Sequence, residues 1–226
     1  MKKLDVRFTR SPGDSVSVGT LAEDRGRVYF EYTADFLATG LNLSPFRLPF
    51  EPGLFEHRHR EFGPLPGVFD DSLPDGWGLL LMDRHFRSLS RNLAEISPLH
   101  RLAWLGTRTM GALTYHPPAS RDDSDASVFD LHDLARQSQE ILTGSAVDVL
   151  PQLLKAGGSP GGARPKVLVG YDPTTGDTVS GEDDLPEGSE HWIVKFMTKE
   201  DTPDAGAVEY AYSLMAREAG IDMPPT

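Results

Sequence analysis

A glycine-rich stretch, LLKAGGSPGGARPKVLVGYD at 153–172, has the residue types of a loop built to hold a ligand. Five of its twenty residues are glycines, and a strand-like run follows at 166–170. Because glycine has no side chain, such a backbone turns sharply and brings its N–H groups close to bound phosphates. Two later residues fit the same chemistry, namely Lys195 in HWIVKFM (191–197) and Glu209, which follows 14 residues after the lysine. The stretch therefore predicts a phosphate-binding site.

The order of the surrounding elements indicates how these residues would meet. A helix, the glycine-rich loop, a strand, a long turn, the strand with Lys195 and the helix with Glu209 follow one another, as in the N-lobe of a protein kinase. On a strand, Lys195 shares a face with Ile193 and Met197, and a lysine among apolar neighbours is costly unless it is paired. Glu209 is the predicted partner. Spacing alone leaves a second interpretation open, in which the loop is a flexible turn and the lysine is solvated.

Three other motifs that involve glycine are excluded by the residues around them. The segment 157–161 has the pattern G-x-S-x-G around Ser159, which is typical of a serine hydrolase. In that motif the residue after the serine donates its backbone N–H, but here it is Pro160, which has none. Lys166 lies between a proline and a valine, so the G-K-[ST] of a Walker A loop is absent, and G-x-G-x-x-G is not matched either.

Alternating apolar residues predict the strands that would carry the site. In the first half these are LDVRF and VYFEY, with turns at 12–13 and 25–26 in the segment between them, and a short strand at SPFRLPF (44–50). In the second half KVLVG follows the glycine-rich loop, and HWIVKFM has the β-branched and aromatic residues of a central strand.

Helical spacing of apolar residues predicts helices at 75–89, 97–106, 129–143, 147–157 and 204–220. Several of them carry end signals. Asp75, Ser97 and Asp130 are candidate N-caps, and Gly106 and Gly220 follow last turns. The final helix has an apolar face that includes Val208, Tyr212 and Met215. The chain stops soon after this helix, which predicts that it is a piece of a longer protein.

The composition of the 226 residues is that of a water-soluble globular protein, with 38% apolar and 25% charged residues. The chain has no cysteine, which excludes disulfides and thiolate zinc sites and suits a reducing cytoplasm. It begins without an apolar signal segment and has no apolar run of about 18 residues, so neither export nor a membrane span is predicted. The net charge of −12 argues against broad contact with nucleic acid or anionic lipid.

Several stretches of the chain resemble the HipA family of toxin serine/threonine kinases, the toxin half of HipBA-type toxin–antitoxin modules. LPGVFDDSLPDGWGLLLMDR (65–84) and LHRLAWLGTRTMGALTYHP (99–117) resemble the N-terminal subdomain of the family. GGSPGGARPKVLVG resembles its phosphate loop, HWIVKF its lysine strand, and VEYAYSLMAREAGIDMPPT the helix that follows. The first and third of these stretches are the most specific.

The resemblance implies a role for each site residue. Ser159 matches the loop serine that these kinases autophosphorylate, which ejects the loop and ends ATP binding. Lys195 matches the phosphate-binding lysine, with Glu209 as its supporting acid. The residues that match the ATP-contacting loop are Gly161, Gly162, Ala163, Arg164, Pro165 and Lys166. From the residues alone, other interpretations remain: a turn hydroxyl for Ser159, a surface charge for Lys166, a plain salt bridge for Lys195 and an exposed helix flank for Glu209.

The chain departs from the family in what it lacks. A kinase needs a catalytic aspartate and an Asp–Asn set for Mg²⁺, and no such loop is present. The nearest string, HRHRE (57–61), precedes the lysine strand and ends in glutamate, so we interpret it as a solvated loop without a metal. Asp70, Asp71 and Asp75 are interpreted as turn and helix-cap residues rather than an acid–base pair. The resemblance implies that the missing groups follow residue 226.

These observations predict an α+β chain in two parts. A small subdomain of strands and helices at 1–118 precedes a linker at 119–126 and an incomplete kinase-like N-lobe at 127–226, without a C-lobe. The whole protein would transfer the γ-phosphate of ATP, with Mg²⁺, to Ser or Thr of a protein substrate, while this chain alone would be inactive. Its partner would be a small DNA-binding HipB-like antitoxin, so that DNA is contacted only indirectly. The alternative is a non-catalytic module in which the N-terminal subdomain docks the antitoxin or another protein.

Overall fold

The computed structural model shows a mixed α+β protein with two antiparallel sheets. It describes the chain except residues 12, 59–60, 62, 120–129, 145–150, 158–160 and 183–184. Within the described residues the strands are β1 (Lys2–Ser11), β2 (Asp14–Asp24), β3 (Arg27–Tyr32), β4 (Leu54–Glu56), β5 (Leu113–His116), β6 (Lys166–Tyr171), β7 (Thr178–Ser180) and β8 (Glu190–Lys195). The helices are α1 (Ala34–Ala38), α2 (Gly67–Asp70), α3 (Gly76–Ser88), α4 (Pro98–Leu105), α5 (Leu131–Leu142), α6 (Pro151–Gly157) and α7 (Ala205–Glu218).

The first sheet has the strand order β4-β3-β2-β1-β5 and is built from successive hairpins. Arg25 and Gly26 form the turn between β2 and β3, and both have positive φ, at 49° and 73°. Turns of that kind match the twist of paired strands, so the turn predicted at 25–26 is confirmed. The segment between the two predicted turns is itself the strand β2, which lies between β1 and β3 and which the sequence analysis did not identify.

The short strand predicted at 44–50 is wrong. These residues form a turn and bends, and the next strand of the sheet is β4, which pairs with β3. Pro45 and Pro49 lack the N–H groups that a ladder requires, and the Phe46 side chain between them is 93% exposed. The prolines therefore favour a turn that does not join the sheet.

Local end signals fix the predicted helices α4 and α5. Ser97 is the N-cap of α4 and forms a capping box with His100, and Gly106 ends the helix at φ 61°. Asp130 caps α5 by accepting hydrogen bonds from the N–H groups of His132 and Asp133. Both predictions are confirmed.

A first hydrophobic core lies between the first sheet and one side of α3 and α4. The sheet contributes Leu4 and Phe30, and α3 contributes Met82 and Phe86, all of which are buried. Burial of each such side chain stabilises the fold by about 1.5–3 kcal/mol relative to an exposed one.

The second sheet has the order β7-β6-β8, so in the described part of the chain HWIVKFM forms an outer strand. Its prediction as a central strand is wrong, although the strand itself is present. Trp192 and Val194 pack against the second core, whereas Ile193 on the opposite face is about half exposed. The β-branched and aromatic composition therefore reflects one buried face rather than a central position.

A second hydrophobic core joins this sheet to α3, α5 and α6. Val167 and Val169 of β6 pack with Leu153 of α6, and α3 contributes Trp77 and Leu81. Helix α3 therefore supplies side chains to both cores. Its two buried sides tie the N-terminal sheet to the half of the chain that carries the glycine-rich loop.

The last helix, α7, ends as predicted. Gly220 has φ 82°, and the N–H of Ile221 donates to the carbonyl of Ala216 at 3.0 Å, which is the pattern of a Schellman cap. The apolar face of this helix is exposed in the described structure, including Tyr212 and Met215. Among the described helices, including this one, none is both long and apolar enough to cross a membrane.

Candidate phosphate-binding site

Two lysines lie side by side on neighbouring strands at one end of the second sheet. Lys166 at the start of β6 is the direct antiparallel partner of Lys195 at the end of β8. Residues paired in this way present their side chains on the same face, here the face opposite the second core. Like charges directly opposite each other repel, so this position favours an anion between or beside the two ammonium groups.

Lys195 is paired in the structure with Glu209 of α7, the partner that the order of elements predicts. The Lys195 Nζ donates to Glu209 Oε1, and each side chain is 46% exposed. An exposed pair of this kind is worth roughly 0–1 kcal/mol, so a ligand anion can replace or share it at little cost. The plain salt-bridge interpretation of Lys195 describes this contact as well, so a role with ATP stays a prediction.

Lys166 is not the surface charge that one interpretation suggested, because it is only 9% exposed. Its Nζ donates to the carbonyl of Gly161 in the loop. Burial lowers the pKa of Lys166 below its ordinary value; the carboxylate of Asp75 acts against this and the charge of Lys195 adds to it. An ammonium has three donors and one goes to Gly161, so the group has further capacity to bind an oxyanion.

The described part of the glycine-rich loop lies against the ammonium group of Lys166. Gly162 has φ 94°, and a Cβ built on it would lie 2.6 Å from the Lys166 Nζ, so a residue with a side chain would displace the ammonium. The guanidinium of Arg164 pairs with Asp201, and the carbonyl of Pro165 accepts from the Phe196 N–H at 2.8 Å. These contacts attach the loop to the end of β8. Ser159 lies outside the described residues.

Asp75 contacts the loop from the other half of the chain, which the sequence analysis missed. It occupies the N-cap position of α3 as predicted, but its side chain makes no capping hydrogen bond there. Instead its Oδ1 accepts the N–H of Gly162, and the N–H of Trp77 donates to the carbonyl of Gly162 at 3.0 Å. The contact joins residues 87 positions apart, so no local pattern could have revealed it.

The other candidates from the sequence lie in local structural positions of the N-terminal half. His57 Nε2 lies 3.2 Å from the Gly63 carbonyl, and Arg58 pairs with Glu56. Asp70 belongs to α2 and Asp71 is its C-cap residue. Within the described ranges there is no group of three or more His, Asp or Glu residues placed to hold a metal ion.

In this α+β protein, Lys166 and Lys195 lie together with the glycine-rich loop at one end of the second sheet. A family model described as the HipA N-terminal domain matches residues 13–116, and one described as the HipA-like C-terminal domain matches residues 158–226. Together they cover most of the chain, which therefore belongs to the HipA family and, with it, to the toxin–antitoxin proteins. A search of curated proteins returned no significant match. Asp75 lies in the first matched region, whereas the loop and both lysines lie in the second.

Proposed function

We propose that this chain contains the nucleotide-phosphate site of a HipA-type serine/threonine protein kinase. The observation that carries the proposal is the direct cross-strand pairing of Lys166 with Lys195 beside the glycine-rich loop. The HipA family is known for serine/threonine kinase activity, and phosphoryl transfer depends mainly on positioning and on compensating phosphate charge. In the whole protein, the γ-phosphate of ATP would move to a Ser or Thr hydroxyl of a protein substrate.

The described residues offer cationic groups for the phosphates of ATP but no cluster of acidic residues for a magnesium ion. Two ammonium groups face the same side of the sheet, and Gly162 leaves room for Lys166 to lie against the loop. Lys195 would hold phosphate oxygens while Glu209 fixes the direction of its ammonium group. Among the described residues no set of acidic side chains is placed to bind the Mg²⁺ that accompanies ATP, so we assign no ligand of that ion to them.

Ser159 remains the proposed off-switch of the kinase, as the resemblance implies. It precedes Lys166 by seven positions in the same loop. A phosphate on this serine would add about −1.5 to −2 charges at pH 7 and would compete with ATP for the two lysines.

The proposed site can be tested by titrating the 226-residue chain with a non-hydrolysable ATP analogue and Mg²⁺. We expect the backbone amide NMR signals of Gly161 to Arg164, of Lys166 and of Lys195 to shift with increasing concentration. The same titration with adenosine, which has no phosphate, is the control and should leave these signals in place. Absence of shifts with the ATP analogue would contradict the proposal.

A second candidate function is that of a non-catalytic docking module. The match of residues 13–116 to the HipA N-terminal domain supports this candidate, because the HipA family generally pairs with a HipB-type antitoxin. The partner in this case, as in the kinase, would be a small DNA-binding HipB-like antitoxin. The net charge of −12 makes direct DNA binding by this chain unfavourable, so the antitoxin would contact the DNA. Docking without any response to nucleotide would favour this function.

We expect the chain by itself to transfer no phosphate. It has the loop and the two lysines that are proposed to hold phosphate, but its sequence contains no Asp–Asn catalytic loop. Incubation with radiolabelled ATP and Mg²⁺ should leave both Ser159 and a generic protein substrate unlabelled. Labelling above that of a heat-denatured sample would show that the chain contains a catalytic group that this interpretation lacks.

A further inference from the structure

Residues at the N-terminal end of α3 contact both backbone hydrogen-bonding groups of one residue of the glycine-rich loop, Gly162. Asp75 accepts the N–H of Gly162, and the N–H of Trp77 donates to the carbonyl of the same glycine. Between them, Gly76 has φ 39°, and a Cβ on it would lie 2.7 Å from the carbonyl carbon and oxygen of Gly162 and from Cα of Ala163. The two backbones are therefore in direct contact, and only glycine allows this approach.

The groups that Asp75 engages are those that a phosphate would use. The N–H of Gly162 is a loop amide of the kind that holds phosphate oxygens. The ammonium of Lys166 is stabilised electrostatically by the Asp75 carboxylate. Gly161, which precedes Gly162 in the loop, also lies beside this carboxylate, since a Cβ on it would be 3.3 Å from Oδ1 of Asp75. One carboxylate thus supplies negative charge to both the loop and the buried lysine.

A phosphate bound to the Gly162 N–H and the Lys166 ammonium would lie beside the carboxylate of Asp75. Two anions at one amide and one ammonium repel each other, and the Gly162 N–H cannot donate fully to both. Asp75 is exposed, so it can turn towards solvent without leaving a buried charge behind. The contact between Asp75 and Gly162 is therefore reversible. The free energy needed to break it lowers the apparent affinity for a nucleotide.

We propose that Asp75 is an internal anion that occupies the Gly162 amide in the nucleotide-free protein and must release it before an ATP phosphate can bind. This inference rests on the proposed function for the choice of ligand. It makes the N-terminal matched region a negative regulator of the loop. Helix α3 also packs in the first core. A partner bound to the N-terminal part can therefore shift the equilibrium between the loop with the Asp75–Gly162 contact and the loop without it.

The test compares Asp75→Asn with wild type in binding the non-hydrolysable ATP analogue with Mg²⁺. Asparagine keeps an oxygen that accepts the Gly162 N–H but removes the charge that opposes the phosphate. We expect the variant to bind the analogue more tightly by up to about fivefold, the upper end of what exposed charge pairs give. Asp71→Asn is the matched control: it makes the same charge change in the same segment, at a residue that caps α2, and should leave the affinity unchanged.

Equal or weaker binding by Asp75→Asn, with measurable binding by wild type, would overturn the inference while leaving the proposed function intact. Absence of binding by wild type and by both variants would instead overturn the proposed function, and this inference with it. The two failures are therefore distinguishable in one set of titrations.

Asp75→Ala gives a second measurement that needs no nucleotide. Alanine removes the acceptor, so the Gly162 amide should exchange its hydrogen with deuterated solvent severalfold faster than in wild type. The amide of Val169 in the second core serves as an internal control for global unfolding and should exchange at the wild-type rate. Unchanged exchange at Gly162 would show that the contact does not hold the loop in solution, which would overturn the inference.

Discussion

Lys195→Ala is expected to abolish phosphoryl transfer by the whole protein while leaving its fold intact. The lysine is proposed to hold phosphate oxygens of ATP, and removal of one such electrostatic contact slows an enzyme by about a hundredfold to a thousandfold. Its side chain is nearly half exposed and its partner Glu209 equally so. Loss of an exposed pair should change the free energy of unfolding by less than about 1 kcal/mol.

The measurement combines transfer of radiolabelled phosphate with thermal unfolding followed by circular dichroism. Lys199→Ala is the matched control, because it removes the same charge from an exposed residue four positions further along the chain. We expect this control to retain transfer and stability. If Lys195→Ala instead lost its cooperative unfolding transition, the lysine would be a structural residue, and retained transfer would remove it from the proposed site.

Trp77→Ala is expected to cause the largest loss of stability. Trp77 is 1% exposed and packs in the second core, on the helix that also contributes to the first. Truncating a buried tryptophan leaves a cavity, and such changes lower the free energy of unfolding by about 3–5 kcal/mol. The Trp77 N–H also holds the carbonyl of Gly162, but it is a backbone group and survives the substitution.

Urea unfolding followed by circular dichroism gives the free energy for each variant. Arg87→Ala is the control on the same helix, since Arg87 is exposed, and it should stay within about 0.5 kcal/mol of wild type. A loss below about 1 kcal/mol for Trp77→Ala would mean that the second core does not depend on α3.

The parts of the fold that the sequence predicts are those with local signals. The turn at Arg25 and Gly26, the capping of α4 by Ser97 and the end of α7 at Gly220 each depend on residues within a few positions. The strand at 44–50 fails because apolar residues suggested a ladder that its two prolines cannot complete. The outer position of β8 could not be predicted either, because sheet order is set by contacts between distant segments.

The candidate site likewise has one contact that the sequence predicted and two features that it did not. The pairing of Lys195 with Glu209 was expected from the order of strand and helix, in which a definite separation brings the helix back over the sheet. The burial of Lys166 and the contact of Asp75 with Gly162 were not expected. The contact of Asp75 depends on where α3 lies, and the ammonium of Lys166 lies against Gly161 and Gly162 of the loop, so neither feature leaves a pattern in nearby residues.

The sharing of α3 between two cores limits how the two matched regions can be exchanged among related proteins. The linker predicted at 119–126 is an obvious place to join the two regions of different parents, since it is polar and rich in serine and aspartate. A chimaera joined there would keep Trp77 and Leu81 from one parent and receive Val167 and Val169 from the other. These four side chains pack together, so we expect a chimaera to fold only if both parents have residues of similar size and shape at these positions. The choice of residues in one region thereby constrains the choice in the other at this contact.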